Sequence, residues 1–299
     1  MISKKIEIIP LAKILMEIPL EIFQTLPVYN HPIFLQLVAP NKSFYAKTTD
    51  SEGKTTFFPF AGQNLILKWR VFQIAFCQKF QAFSLTGEPE PEHWQIWLDF
   101  LKEKTINCQW PTATLTEFVS EAKLRLDAKT NQILNLDSDF QSLFSLWKPN
   151  RRSALNKSKG LLINQQNHSD FIQGLKTSMA KANANRWRPS EKEIKIAEKI
   201  SGSEFFKNDL LRFSILENGE TLNSVLLLKW AGRFHYLLSF SSEQGFKKEA
   251  LTKFFLHFLE SHSNQKMLFD FEGSSIPGIR NFFTSLGALS ENYTVIKNQ

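Results

Sequence analysis

Residues 267–287, MLFDFEGSSIPGIRNFFTSLG, constrain what this 299-residue chain can fold into more than any other stretch. Met267, Leu268 and Phe269 read as a buried strand. Asp270 and Glu272 follow one residue apart. Alternate residues of a strand share a face, so both acids can point the same way at the strand's end. Gly273 permits a tight turn, and Ser274 or Ser275 can cap a helix starting near Pro277. Ile279, Phe282, Phe283 and Leu286 then recur at helical spacing until Gly287 stops the helix. A strand end feeding a capped helix is where open α/β sheets usually place their ligands.

The rest of the chain supplies a core for that element. With 42% hydrophobic residues, long disordered segments are not expected, and the 28 Phe residues fall mostly in periodic segments as packing groups. Cys77 and Cys108 have no metal-type spacing and fit free thiols in a reducing compartment. The N-terminal apolar residues are broken by Lys13, Glu17 and Glu21, which argues against a signal peptide, and no apolar run reaches about 18 residues. The expectation is a soluble cytoplasmic protein without membrane insertion. A net charge of +7 suits a phosphate-bearing ligand, an RNA or an acidic surface, and equally a lysine-rich solvated face.

In order, residues 5–9 read as a strand, followed by an amphipathic helix through Phe23 and a short helix at 33–38. Residues 43–47 and 55–60 form a hairpin. The aromatic run 69–83 is ambiguous between strand and loop, 92–104 is a helix, and 105–110 is a strand. Residues 111–140 give no clear pattern. The basic segment Arg151–Lys159 separates two halves, which sets domains at 1–148 and 149–299. In the second half, 161–165 is a strand and 169–181 a helix capped by Ser169 or Asp170. A second helix, 190–200, opens with a Ser190/Glu193 capping box. Strands at 211–216, 222–230 and 234–240 meander through turns at Asn218-Gly219 and Ala231-Gly232. A helix at 247–262, a buried strand, a short helix and a last strand at 293–296 complete the chain. This order implies a mixed sheet with helices on both faces, an α/β (α+β) class.

That order looks like the Gcn5-related N-acetyltransferase fold. The segment DFEGSSIPGIRNFFTSLGA more narrowly resembles bacterial proteins built like the Fem-type peptidoglycan peptidyltransferases, which carry two such domains in tandem. The matching residues are Asp270, Phe271, Glu272, Gly273, Ser274, Pro277, Gly278, Phe282, Gly287 and Ala288. Asn150, Arg151, Arg152, Lys157 and Gly160 also resemble the basic lead-in to the second domain of that group. The resemblance implies two tandem acyltransferase-like domains, the first degenerate. It implies acyl transfer to an amine from a thioester, such as acetyl-CoA or another acyl-CoA as cosubstrate, or from an aminoacyl-tRNA. The acceptor would be a small-molecule or peptide amine, and no cofactor would be permanently bound.

One departure from the acetyltransferase pattern matters. The helix after the splayed strand usually opens with Arg/Gln-x-x-Gly-x-Gly/Ala, whose amides hold the coenzyme A pyrophosphate. Here the place is taken by Gly245-Phe246-Lys247-Lys248-Glu249-Ala250. Ala250 fits, but Gly245 stands for Arg/Gln and Lys248 for Gly, so Lys247 and Lys248 remain as point charges for phosphate.

By the resemblance, Glu272 is a general base or ammonium ligand with Asp270 orienting it. The plain alternative is that both acids bond the amides of the following turn and Arg280. Ser239, Phe240 and Ser241 would border the donor, with their amides stabilising an oxyanion. Arg151 and Arg152 would meet a phosphate-bearing donor, or else belong to a solvated linker. His235 and Tyr236 would face the acceptor groove, or else pack inside. No zinc spacing, nucleophile elbow, P-loop or dinucleotide fingerprint occurs, so no metal is assigned and hydrolase, NTPase and dehydrogenase readings lose support. A non-catalytic ligand- or partner-binding relative and an RNA-binding protein remain as alternatives.

Overall fold

The computed structural model describes residues 6–50, 52–66, 68–112, 124–183, 188–273 and 276–298. The chain forms two compact units, 1–130 with 292–299, and 131–291.

The first unit begins with β1 (Ile6–Pro10), α1 (Leu11–Glu17), α2 (Leu20–Thr25) and α3 (Pro32–Val38). The single helix expected through Phe23 is two, because Pro19 cannot continue the first and instead precedes the second. The hairpin β2 (Ser43–Thr49) and β3 (Thr55–Leu65) follows. The ambiguous aromatic run is mostly loop between two short strands, β4 (Lys68–Val71) and β5 (Phe83–Ser84). Then come α4 (Pro91–Glu103) and β6 (Thr105–Thr112). The sheet runs β1-β2-β3-β4-β6, with β4 and β6 parallel. Its core is aromatic: Phe58 and Phe100 stack on Trp97, and Trp110 donates its ring N–H to the Pro59 carbonyl at 2.9 Å.

The boundary lies elsewhere than 148/149. It falls inside β7 (Arg125–Asn135), whose last three residues pair antiparallel with a strand of the second unit. The basic segment is no linker. Phe140–Ser145 forms α5 and Pro149–Ala154 forms α6, and Leu143 and Trp147 belong to the second unit's core.

That unit continues with β8 (Leu162–Gln165), α7 (His168–Ala180), α8 (Glu191–Ser201), and the meander β9 (Leu210–Glu217), β10 (Glu220–Trp230) and β11 (Arg233–Ser241). Helix α7 is capped by Asn167, whose side chain accepts from the Asp170 amide, rather than by Ser169 or Asp170. The Ser190/Glu193 capping box is complete. Asn218-Gly219 and Ala231-Gly232 adopt the left-handed conformations their turns require. The helix expected from 247 is divided. A one-turn α9 (Glu243–Lys247), capped by Ser242, precedes α10 (Ala250–His262), with Glu249 left-handed (φ 55°) between them. Next are β12 (Leu268–Asp270), α11 (Pro277–Ser285) and β13 (Leu289–Lys297). Ser274 and Ser275, the expected caps of α11, lie outside the described residues, and Ile276 holds the N-cap position.

The second unit's sheet runs β7-β12-β11-β10-β9-β8, with only β11 and β12 parallel. The last strand, β13, does not lie directly beside β12. The end of β13 pairs with β6 in the first unit, Thr294 opposite Thr112, and β7 takes the place beside β12. One face of the second sheet packs on α10 through Phe254, Phe255, Phe258, Phe269, Phe271 and Phe283. The Phe residues are packing groups, as their periodicity suggests. Among the described residues, no helix is long and apolar enough to cross a membrane.

Candidate active site

The parallel pairing of β11 with β12 stops at His235 and Asp270, while β11 stays paired with β10 through Ser241. Beyond that point the chain leaving β12 turns sharply. Glu272 (φ 59°) and Gly273 (φ 71°) are both left-handed. For glutamate this costs on the order of 1–2 kcal/mol and persists only where neighbours enforce it. They do here. Asp270 Oδ1 accepts the Glu272 amide at 2.9 Å, and Asn131 Oδ1 accepts the Gly273 amide at 2.6 Å.

Asp270 is almost wholly buried and accepts from three donors. Its Oδ1 also accepts from Asn131 Nδ2 at 2.8 Å, and its Oδ2 from Arg233 at 2.9 Å. Arg233 further grips Glu291 with both terminal nitrogens, at 3.0 and 3.3 Å. Burial acts to lower the Arg233 pKa, but the hydrogen bonds and charges of Glu291 and Asp270 outweigh it and hold the group firmly protonated. Asp270 is thus an anchoring residue, with three of its roughly four acceptor positions taken by the turn, Asn131 and Arg233. The plain alternative is half realised: Asp270 does bond the turn, yet its cationic partner is Arg233.

The turn directs Glu272 at His235. The carboxylate lies 2.6 Å from the ring Nδ1, and because a carboxylate can only accept, Nδ1 carries the proton. His235 is 2% exposed and Glu272 remains partly open, its side chain 13% exposed. Three carboxylates, those of Asp270, Glu272 and Glu291, gather about one guanidinium and one imidazole, so the site carries net negative charge suited to an ammonium group. The His235, Asp270 and Glu272 ligand atoms lie within 4.8 Å of one another, close enough to share a cation. Arg233 already supplies positive charge to Asp270, and an ion would have to displace the bonds just described.

The other expected site residues are distributed differently. Tyr236 points to the opposite face from His235 and packs among Phe255, Phe269, Phe271 and Phe283; burial pushes its phenol pKa well up. Phe240 is buried. Ser239 and Ser241 share the side-chain amide of Asn223. Gly245 and Ala250 are buried, and a Cβ on Gly245 would lie 2.2 Å from the Leu222 carbonyl oxygen. Lys247 pairs with Glu243 and Lys248 with Glu217. Arg151 is mostly buried. It donates to Glu249 at 2.6 Å, Thr252 at 2.9 Å and Ser285 at 3.2 Å, with its guanidinium over the Phe282 ring. Arg152 and Arg280 are exposed on α6 and α11. Asn131, Arg233 and Glu291, absent from the sequence reading, complete the site.

No protein-family model and no curated protein matches the sequence. Solved structures do match in fold. FemX superposes with a TM-score of 0.61 at 10% identity, covering 87% of this chain and 89% of its own. A conserved protein of unknown function from Bacteroides thetaiotaomicron gives 0.60 at 12%, covering 98% and 99%. L-PGS from Bacillus licheniformis gives 0.53 at 11%, covering 88% and 85%. The chain therefore shares its mixed α/β fold with FemX and with these other structures. Likeness at this identity defines the architecture alone.

Proposed function

We propose that this protein is an acyltransferase that moves an acyl or aminoacyl group from a thioester or an aminoacyl-tRNA to an amine, with Glu272 as the proton acceptor. The observation that carries the reading is Glu272 itself. It is held in a left-handed conformation by Asp270 and Asn131 and aimed at buried His235, where two parallel strands part. Strained, over-determined residues of this kind cluster at working sites.

In this mechanism the substrate ammonium binds the negative cluster and gives a proton to Glu272. The free amine attacks the donor carbonyl carbon, the tetrahedral oxyanion collapses to the amide, and the proton lost by the attacking nitrogen goes to the departing thiolate or ribose oxygen. Amides of β11 near Ser239–Ser241, beyond the end of pairing with β12, are suited to the oxyanion. His235 and Asp270 position the base without touching substrate. Holding donor and amine together can itself contribute about 7–11 kcal/mol, so no covalent enzyme intermediate is needed.

The test is transfer of a radiolabelled acyl or aminoacyl group to a panel of amines by wild type and Glu272→Gln. A fall of about 10²–10⁴-fold at unchanged melting temperature supports the role. Full activity in the variant removes Glu272 from it. The second reading, a non-catalytic relative, is favoured by the internally bonded loop at 243–249, and absence of transfer from every donor would select it.

A further inference from the structure

We infer that Glu249 fills, with its own carboxylate, the anion position at the start of α10, so that no coenzyme A diphosphate is held at this helix. That coenzyme A is the ligand to consider rests on the transferase function proposed above; the geometry does not.

In acetyltransferase-like domains the amides preceding this helix are the natural cradle for a diphosphate. In this chain five of them are engaged. The Glu243 amide donates to the Lys181 carbonyl at 3.1 Å, the Gly245 amide to Ser242 Oγ at 3.0 Å, and the Phe246 amide to the Ser242 carbonyl at 3.0 Å. The Lys248 amide donates to the Gln244 carbonyl at 2.9 Å and the Glu249 amide to the Phe246 carbonyl at 3.2 Å. The loop is an ordinary capped helical turn, and its glycine is required by the Leu222 carbonyl, not by a ligand. Lys248 is spent on Glu217.

What remains beside the helix is a set of anion-binding groups with an anion already on it. Arg151, 15% exposed at its side chain, and the Thr252 hydroxyl both donate to Glu249 Oε2, at 2.6 and 2.8 Å. The carboxylate bonds no amide of the thirteen-residue helix, and reaches its first turn through the Thr252 hydroxyl, where the dipole favours negative charge. To reach it, Glu249 adopts a left-handed backbone that a glycine would adopt without strain. A guanidinium, a hydroxyl and a helix start would suit a phosphate oxygen equally well. A diphosphate entering here meets Glu249 as a like charge in a partly buried place.

The test measures melting temperature and calorimetric binding with pyrophosphate, coenzyme A and acetyl-CoA, without acceptor or turnover. Wild type is expected to respond to none of them. Glu249→Gly removes the carboxylate and relaxes the backbone. It is expected to bind pyrophosphate at least about tenfold more tightly than wild type, an increment of 1.4 kcal/mol or more. Adding Arg151→Ala should abolish that gain. A coenzyme A response in wild type, or a Glu249→Gly variant as unresponsive to pyrophosphate as wild type, overturns the inference. Because no transfer is measured, these outcomes are separate from the fate of Glu272→Gln.

Discussion

His31 allows a prediction whose size follows from the structure. It is fully buried, caps α3 by accepting the Ile33 amide on Nδ1 at 3.2 Å, and meets Phe23 edge-on at 5.8 Å. Burial disfavours the charged ring and lowers its pKa from 6.5 to about 4. The folded state therefore keeps the ring neutral down to about pH 4, while the unfolded chain takes up a proton below 6.5. The unfolded state binds more protons in that window, so stability rises with pH there and is lost as pH falls. At about 1.36 kcal/mol per pH unit, the interval amounts to roughly 3 kcal/mol. His31→Asn retains a capping oxygen but neither titrates nor packs on Phe23. It should be less stable than wild type by about 1–2 kcal/mol at pH 7. At pH 4.5 the difference should vanish or reverse. Urea unfolding followed by tryptophan fluorescence, with Trp94, Trp97 and Trp110 in the same unit, measures it. Asp50, Asp127 and Asp139, whose pKa values are also lowered, affect both proteins and cancel in the difference. A wild type–variant difference constant within about 0.5 kcal/mol across this range would refute the reasoning.

Gly245→Ala should destabilise the second unit by about 3 kcal/mol or more, because the new methyl meets backbone oxygen and not a movable side chain; chemical denaturation reads this, and a neutral effect would deny the close approach to Leu222. Arg151→Ala should cost about 3 kcal/mol, the lower end for breaking a buried pair since both partners keep some exposure. A loss below about 0.5 kcal/mol would return Arg151 to the role of solvated linker.

What the sequence discloses about this site is what lies within a few residues along the chain. The one-residue spacing of Asp270 and Glu272, the turn at Gly273 and the proline start of α11 are local, and so were legible. The same holds for the meander, whose turns at Asn218-Gly219 and Ala231-Gly232 demand left-handed residues that the sequence supplies. The groups that make Asp270 an anchor are not local. Asn131 is 139 residues away and Arg233 is 37, and they meet Asp270 only because β7 and β11 flank β12. No periodicity encodes that pairing.

The basic segment misleads for a related reason. Arg151 reads as a linker cation until Glu249, 98 residues on, is found opposite it. Loop 245–250 already departs from the phosphate-cradle pattern in sequence, at Gly245 and Lys248, yet the sequence does not say what its amides do instead. Whether it is a cradle depends on what presses on the Gly245 Cα and where its amides donate. Here Leu222 supplies the pressure, while Ser242 takes the amides of Gly245 and Phe246 and Lys181 takes that of Glu243. The groups that would meet a ligand at such a loop can thus be consumed by bonds within the fold, and partners such as Leu222 and Lys181 lie too far along the chain for a local sequence pattern to disclose them.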